Sequence, residues 1–368
     1  MELGIARSRA EVADIECEWR ALAEAEGNLL LTPDWFLVCL DLLETDAEPH
    51  VVFGRDPGGN LLMVQPFVAT GDSDNPTLGM PGALFGGDFY GPLAPGLDTA
   101  QVATETASVL GAEQLRRIDL SLQPRPEWTH ELVGSLGGSW HRVVSGHLEV
   151  HEVHPNGGTY DEYMATRSRN LRQRVGRMTR KLDREHGITI RTVGPEEDVA
   201  PHIDEALRLH VMRRDDRGGS EWNDPNTLEF VRAVLTRCHE LGWLRLGFVD
   251  AGGVPVATSI CTMFGADLQL MNLGMDPAWG NYSPGLIAIA DFIRDGYDRG
   301  LRRIQLGLGD QDAWKERWST NVVPVERVHL LNGQPLRYLA LAGRSWARKN
   351  QMVGAAFRRG CDLVKRGA

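Results

Sequence analysis

Residues 268–320 read LQLMNLGMDPAWGNYSPGLIAIADFIRDGYDRGLRRIQLGLGDQDAWKERWST. The stretch divides into strand, turn, helix, strand and a short Trp-Lys helix. Leu268–Leu273 is apolar with polar interruptions, the pattern of a strand. Asn281-Tyr282-Ser283-Pro284-Gly285 is a turn that opens a helix, with Ser283 placed to cap it and Pro284 suited to the first helical position. Leu286, Ile289, Ala290, Ile293 and Tyr297 follow at helical spacing on one face. Gly300 ends the helix, and Ile304–Leu308 is the next strand. A helix start beside the open end of a strand presents backbone N–H groups and the positive end of a helix dipole, a binding place for a pyrophosphate or similar anion.

Outward from this stretch, residues 151–332 read as one α/β domain. A turn at Pro155–Gly158 leads to a helix over 160–185 and a strand over 188–193. Helices over 197–214 and 226–241 follow, then strands over 243–250, 254–264 and 268–275. The helix 284–299, strand 302–308, helix 312–318 and strand 322–331 complete it. A strand series followed by a helical crossover implies a mostly antiparallel sheet that ends with a parallel neighbour. Residues 1–150 begin with a helical pattern at Val12, Ile15, Trp19 and Leu22. A second helix starts at Thr32-Pro33, and His50–Gly54 and Leu61–Ala69 form a hairpin. A Gly-, Pro- and Asp-rich segment, Gly71–Gly96, precedes a helix over Thr99–Leu110 and a strand over Arg117–Leu122. This order is a degenerate copy of the same plan, although no internal repeat is legible in the residues themselves. Residues 333–368 read as a basic helical tail.

Composition narrows the function. With 39 Lys and Arg against 50 Asp and Glu, the net charge is −11, which argues against a dedicated DNA binder. Five widely spaced cysteines without C-x-x-C speak against a disulfide framework or a zinc site and fit a reducing cytoplasm. Met1–Ala10 has no apolar leader core, and no apolar run is long enough to cross a bilayer. His147, Glu149 and His151 share a strand face by period two, and an exposed edge strand is the reading preferred over a metal trio. G-x-S-x-G and Walker-type loops are absent, so hydrolase and nucleotide-hydrolase readings lack their usual footholds.

The ordered motifs Met275-Asp276-Pro277-Ala278-Trp279, Tyr282-Ser283-Pro284-Gly285-Leu286, Leu306–Asp310 and Ala313-Trp314-Lys315-Glu316-Arg317-Trp318 resemble the GNAT acyltransferases. The likeness is to the BioF2-like or CelD-like branch, related to the FemXAB aminoacyl transferases. The Arg-rich helix Arg167–Arg184 and the segment Asp88-Phe89-Tyr90-Gly91-Pro92-Leu93 add to it. The resemblance implies two tandem GNAT-like domains, 1–150 on the acceptor side and 151–332 for donor binding and catalysis. It implies acetyl-CoA or another acyl-CoA as donor, with aminoacyl-tRNA as the alternative, no metal, and a small-molecule, sugar or peptide amine as acceptor. In such folds the strand before the S-P-G helix splays from its neighbour and pairs with the pantetheine arm. Met271, Asn272, Leu273 and Gly274 would then line the donor channel, and Tyr282, Ser283, Pro284, Gly285 and Leu286 would hold the pyrophosphate.

For chemistry, amide formation needs a proton acceptor and positive charge at the developing oxyanion. Asp310 leaves its strand at the C-terminal end, where such sites collect ligands; it is a base or simply a helix cap. Lys315 follows aromatic Trp314, and by resemblance a Lys in this place neutralises transition-state charge. Arg169 on the basic helix, Arg213, Asp216, Glu221 and Trp222 on the loop after helix 197–214, and Asp88 and Tyr90 are the acceptor-side candidates. The basic helix, stripe Leu171, Val175, Met178 and Leu182 inward, and the basic tail leave tRNA open as a partner. A non-catalytic binding protein on the same fold is the remaining alternative. Oligomeric state, monomer or homodimer, is not written in the residues.

Overall fold

The protein is described by a computed structural model covering residues 1–43, 45–71, 75–82, 91–124, 126–194, 196–215, 222, 224–309, 313–333 and 340. It divides into two compact units. The first holds Met1–Leu22, Asp46–Leu148 and the chain from Pro324; the second holds Ala23–Thr45 and Glu149–Val323.

The first unit is built from β1 (Glu2–Ala6), α1 (Arg9–Glu26), β2 (Glu48–Arg55), β3 (Leu61–Thr70), β4 (Thr77–Gly79), α3 (Thr99–Leu110), β5 (Arg117–Gln123), α4 (Pro126–Leu136), the first part of β6 (Trp140–Val153) and most of β12 (Asn321–Asn332). Its strands run in the order β1-β2-β3-β4-β5-β12. All neighbours are antiparallel except β4 and β5. Trp19, Met63, Phe67, Ile118, Leu120, Leu122 and Trp128 are buried, so the period-2 and period-3.6 apolar positions do supply the core. Three elements escape the sequence pattern. β1 is short, β4 is three residues inside the Gly-rich segment, and α4 begins at Pro126 with polar residues in its first turn.

The second unit contains α2 (Pro33–Leu42), α5 (Tyr160–Thr166), α6 (Arg169–His186), β7 (Ile188–Thr192), α7 (Val199–Asp215), α8 (Pro225–Glu240), β8 (Leu244–Ala251), β9 (Val254–Phe264), β10 (Asp267–Met275), α9 (Pro284–Asp298), β11 (Arg303–Gly309) and α10 (Ala313–Glu316). The strand order is β6-β11-β10-β9-β8-β7, and only β10 and β11 are parallel. The β-α-α-β-β-β-α-β-α-β order of the first 153 residues therefore recurs from β7 to β12. In each unit the parallel pair flanks one helix, α3 or α9. The final strand of each repeat joins the sheet of the other repeat: Glu149–Val153 of β6 pairs with β11, and Glu326–Leu331 of β12 pairs with β5. Residues 147–151 are thus not an exposed edge. His151 and Glu152 are buried, and Glu152 accepts from Asn321 Nδ2 at 3.0 Å.

A division at residue 150 places α2 with the first part of the chain, yet it packs in the second unit. Trp35 meets Phe230 of α8 edge-on at 5.7 Å, and buried Asp34 accepts from Arg237 Nη2 at 2.8 Å. The single helix expected over 160–185 is two. Thr159 and Glu162 form a reciprocal capping box on α5, Arg167 is extended at φ −76°, ψ 161°, and Ser168 starts α6 by accepting from Leu171 N–H at 3.3 Å. The break lets Arg167 donate to Ser319 O at 2.7 Å while Leu171 and Leu182 bury the inner stripe of α6. None of the described helices is long and apolar enough to cross a membrane.

Candidate active site at the opening between β10 and β11

β10 and β11 pair for three residues only, Asp267↔Arg303 to Gln269↔Gln305. Buried Asp267 fixes that end by accepting from Arg302 Nη2 at 3.0 Å and from Arg303 Nε at 3.0 Å. Beyond it both strands lose register with their outer neighbours. A bulge falls between Leu270 and Asn272 against β9, and another between Gln305 and Gly307 against β6. Bulges bend strands and end pairing, so the two strands diverge with their facing edges unpaired.

A cavity of about 620 Å³ occupies the opening, within the usual range for small-molecule sites. Leu273, Gly274 and Met275 of β10 form one wall, and Ser283, Gly285, Leu286 and Ile289 at the start of α9 form the floor. Trp314, Arg317 and Trp318 line the α10 side, while Arg174 of α6 and Arg213 of α7 bring two more guanidinium groups. Arg174 Nη2 donates to Ser283 Oγ at 3.3 Å, and Arg213 Nη1 donates to Leu273 O at 3.2 Å. Of the expected donor-channel residues, Leu273, Gly274, Ser283, Gly285 and Leu286 line the cavity. Met271, Asn272, Tyr282 and Pro284 are not on its wall. Pro284 is buried, and Tyr282 is held by α6: its hydroxyl donates to Glu185 Oε2 at 3.0 Å and lies 2.8 Å from His186 Nε2.

One local expectation is corrected. Ser283 does not cap α9: it sits in the left-handed region at φ 50°, ψ 51° and makes no side-chain cap bond. The chain reaches it from a 3₁₀ turn over Pro277–Tyr282, itself capped by Asp276, and that approach forces the reversal. Two of the amide groups in Ser283–Leu286 are engaged within the turn itself. Ser283 N–H is bonded to Gly280 O at 3.0 Å, Pro284 has none, and Leu286 N–H is bonded to Ser283 O at 2.9 Å. Positive charge at this helix start comes mainly from Arg174, Arg213 and Arg317. Gly274 also serves the packing: a Cβ there would lie 2.6 Å from His210 N, so the missing side chain lets α7 press on β10.

Lys315 lies just outside the lining. Its ammonium donates to Leu308 O at the end of β11 and stands 5.5 Å from the Trp314 ring centroid. Gly307, at φ +77°, makes room: a Cβ there would be 3.5 Å from Lys315 Nζ and 3.6 Å from Leu270 O. Across the β6–β11 ladder His151 pairs with Gly307, and its Nδ1 is 3.3 Å from Ser319 Oγ. Burial, reinforced by the Lys315 charge, pushes its pKa down. His151 was not singled out by the sequence as anything but a metal-ligand candidate; only its register opposite Gly307 brings it here. Arg174 and Arg317 were likewise two arginines among many until α6 and α10 placed them on one cavity.

The other candidates fall elsewhere. Arg169 is exposed at the start of α6 and does not line the cavity. Trp222 is buried, its ring 4.0 Å from that of His210. Asp88, Tyr90, Asp216, Glu221 and Asp310 lie outside the described residues. Among the described residues no group of His, Cys, Asp and Glu is arranged to hold a metal ion.

Residues 169–316, which contain every wall of the cavity except Ser168, Arg317 and Trp318, match the family described as "Acetyltransferase (GNAT) domain". Those residues form a GNAT-type acyltransferase domain. The crystal structure of FemX superposes on it with a TM-score of 0.63 at 11% identity, covering 93% of this chain and 100% of that one. A conserved protein of unknown function from Bacteroides thetaiotaomicron gives 0.52 at 10% identity, covering 90% and 100%. The C-terminal domain of a putative lysylphosphatidylglycerol synthetase from Agrobacterium fabrum gives 0.51 at 11%, covering 89% and 94%. At such identities these likenesses speak for the Fem-like GNAT fold alone. No curated protein matches the sequence.

Proposed function

We propose that this acyltransferase moves an acyl group, acetyl first among the candidates, from acyl-CoA to the amine of a small molecule, sugar or peptide by direct attack. The observation that carries the reading is the opening of the sheet after Gln269 and Gln305 onto a cavity floored by the start of α9. A volume near 620 Å³ suits an acyl group with its pantetheine arm. The unpaired edge of β10 offers that arm's amides backbone partners. The Arg174, Arg213 and Arg317 guanidinium groups suit the phosphates, each as a charge-assisted donor.

In this reading the thioester carbonyl faces the end of β11. As the amine attacks, negative charge grows on the carbonyl oxygen, and Lys315 supplies the opposing charge in a partly enclosed setting where it counts for more than in water. Trp314 forms the wall beside it. The amine proton leaves to Asp310 or to a water, and CoA departs as the thiol. No acyl-enzyme is required.

A second donor, aminoacyl-tRNA, is favoured by one observation: Arg169, Arg172, Arg177, Arg180 and Arg184 project from the exposed side of α6, a surface suited to a polyphosphate backbone. Native mass spectrometry of the full chain offered acetyl-CoA, longer acyl-CoAs and charged tRNA separates the donors. The proposal expects a one-to-one acyl-CoA complex and thiol release when amines are added. A complex with charged tRNA only, with binding that falls steeply with salt, replaces the donor; no complex with either withdraws the reading.

A further inference from the structure

Three polar side chains stand in line on the sheet of the first unit. Asp119 comes from β5, His329 from β12 and Ser145 from the first part of β6. His329 Nδ1 is 2.5 Å from Asp119 Oδ1, and its Nε2 is 2.8 Å from Ser145 Oγ. A carboxylate oxygen only accepts, so in the neutral imidazole Nδ1 carries the proton and donates to Asp119. Nε2 then presents its lone pair to the Ser145 hydroxyl, which donates. Arg117 secures the carboxylate: its Nε donates to the same Oδ1 at 2.6 Å, and its Nη2 stands 3.2 Å from His329 Nδ1.

The relay is not locked in the core. Ile118, Leu120 and Leu122 of β5 and Val328 and Leu330 of β12 are fully buried, so strand alternation turns Asp119 and His329 to the opposite face. Their side chains keep 29% and 13% of their surface in solvent, and Ser145 is only partly buried. A structural hydrogen-bond ladder has no need of solvent access at its hydroxyl end; a nucleophile does.

We propose that Ser145 is an activated nucleophile, with His329 as its general base and Asp119 as the positioning residue, and that it accepts acyl groups from small activated esters and thioesters. Ser145 Oγ attacks the acyl carbon while its proton passes to His329 Nε2. The bond from acyl carbon to the ester oxygen or thioester sulfur then breaks. The leaving alkoxide or thiolate takes the proton from His329, and the acyl group remains as an ester on Ser145. Water, deprotonated in turn by His329, releases the free acid. This activity is independent of the donor cavity, since every participating residue belongs to the first unit.

The test uses the full chain and p-nitrophenyl acetate. Expected are a burst of about one nitrophenolate per chain, as an acyl-enzyme step produces, and an acetyl group mapped to Ser145 by peptide mass spectrometry. Ser145→Ala loses both. His329→Asn keeps an N–H donor toward Asp119 but lacks the Nε2 base, and slows the burst about 10²–10⁴-fold. Circular dichroism confirms that both variants fold. A burst that survives in Ser145→Ala, label confined to lysines, or no burst from the unaltered chain overturns the proposal. The readout needs no CoA, so it stands whether or not the acyl-CoA reading does.

Discussion

At the scale of single residues, the opening depends on two positions, Gly307 and Lys315. Gly307 is left-handed and faces both Lys315 Nζ and Leu270 O. An alanine there must take a backbone region that costs an L-residue roughly 1–2 kcal/mol. Gly307→Ala is expected to lower unfolding stability by about that amount in urea titration and to cut turnover. Lys315→Met removes the charge while keeping much of the bulk. By the proposed mechanism kcat falls about 10²-fold or more, with KM little changed, because the charge acts on the transition state. A rise in KM at constant kcat would move Lys315 from chemistry to ground-state binding. The Trp-Lys pair was readable in the sequence through its resemblance to the Fem-like transferases, where a Lys follows an aromatic residue. The placing of His151 opposite Gly307 was not, because it arises from the β6–β11 register.

At the scale of elements, the helix starts show how far local rules reach. Thr159 caps α5 and Ser168 caps α6, each through the N–H group three residues on, whereas Ser283 adopts a left-handed turn and caps nothing. Thr159→Ala should therefore cost about 1 kcal/mol of unfolding free energy, and Ser283→Ala well under about 0.5 kcal/mol. Equal losses would restore Ser283 as a cap. The S-P-G signature correctly placed the start of α9, since Pro284 cannot continue the preceding turn. It misled on how the turn is satisfied, because the 3₁₀ segment before it takes the bonds a capping side chain would make. The break between α5 and α6 is hidden in the sequence for the opposite reason: polar and basic residues carry the helical pattern across Arg167 and Ser168.

At the scale of the whole molecule, the C-terminal half was legible in order and type because its strands and α9 carry strong periodicity. The exchange of β6 and β12 between repeats was not, since pairing partners more than 150 residues apart leave no mark on local pattern. Each unit also buries a histidine, His50 in the first and His210 in the second, and burial depresses both to about 4. The unfolded chain takes up these protons near pH 6.5 and the folded chain does not, so stability is full above about pH 6.5 and declines as pH falls toward 4. For His210 the loss is on the order of 3 kcal/mol; urea midpoints measured across that window should fall, and His210→Gln should flatten the slope. The most direct test of the account is calorimetric titration of acetyl-CoA into the full chain and into Arg174→Glu, which reverses one charge on the cavity wall. The account predicts one site per chain and an affinity about 10–100-fold weaker in the variant. An unaltered chain that does not bind, or a variant that binds equally well, would contradict it.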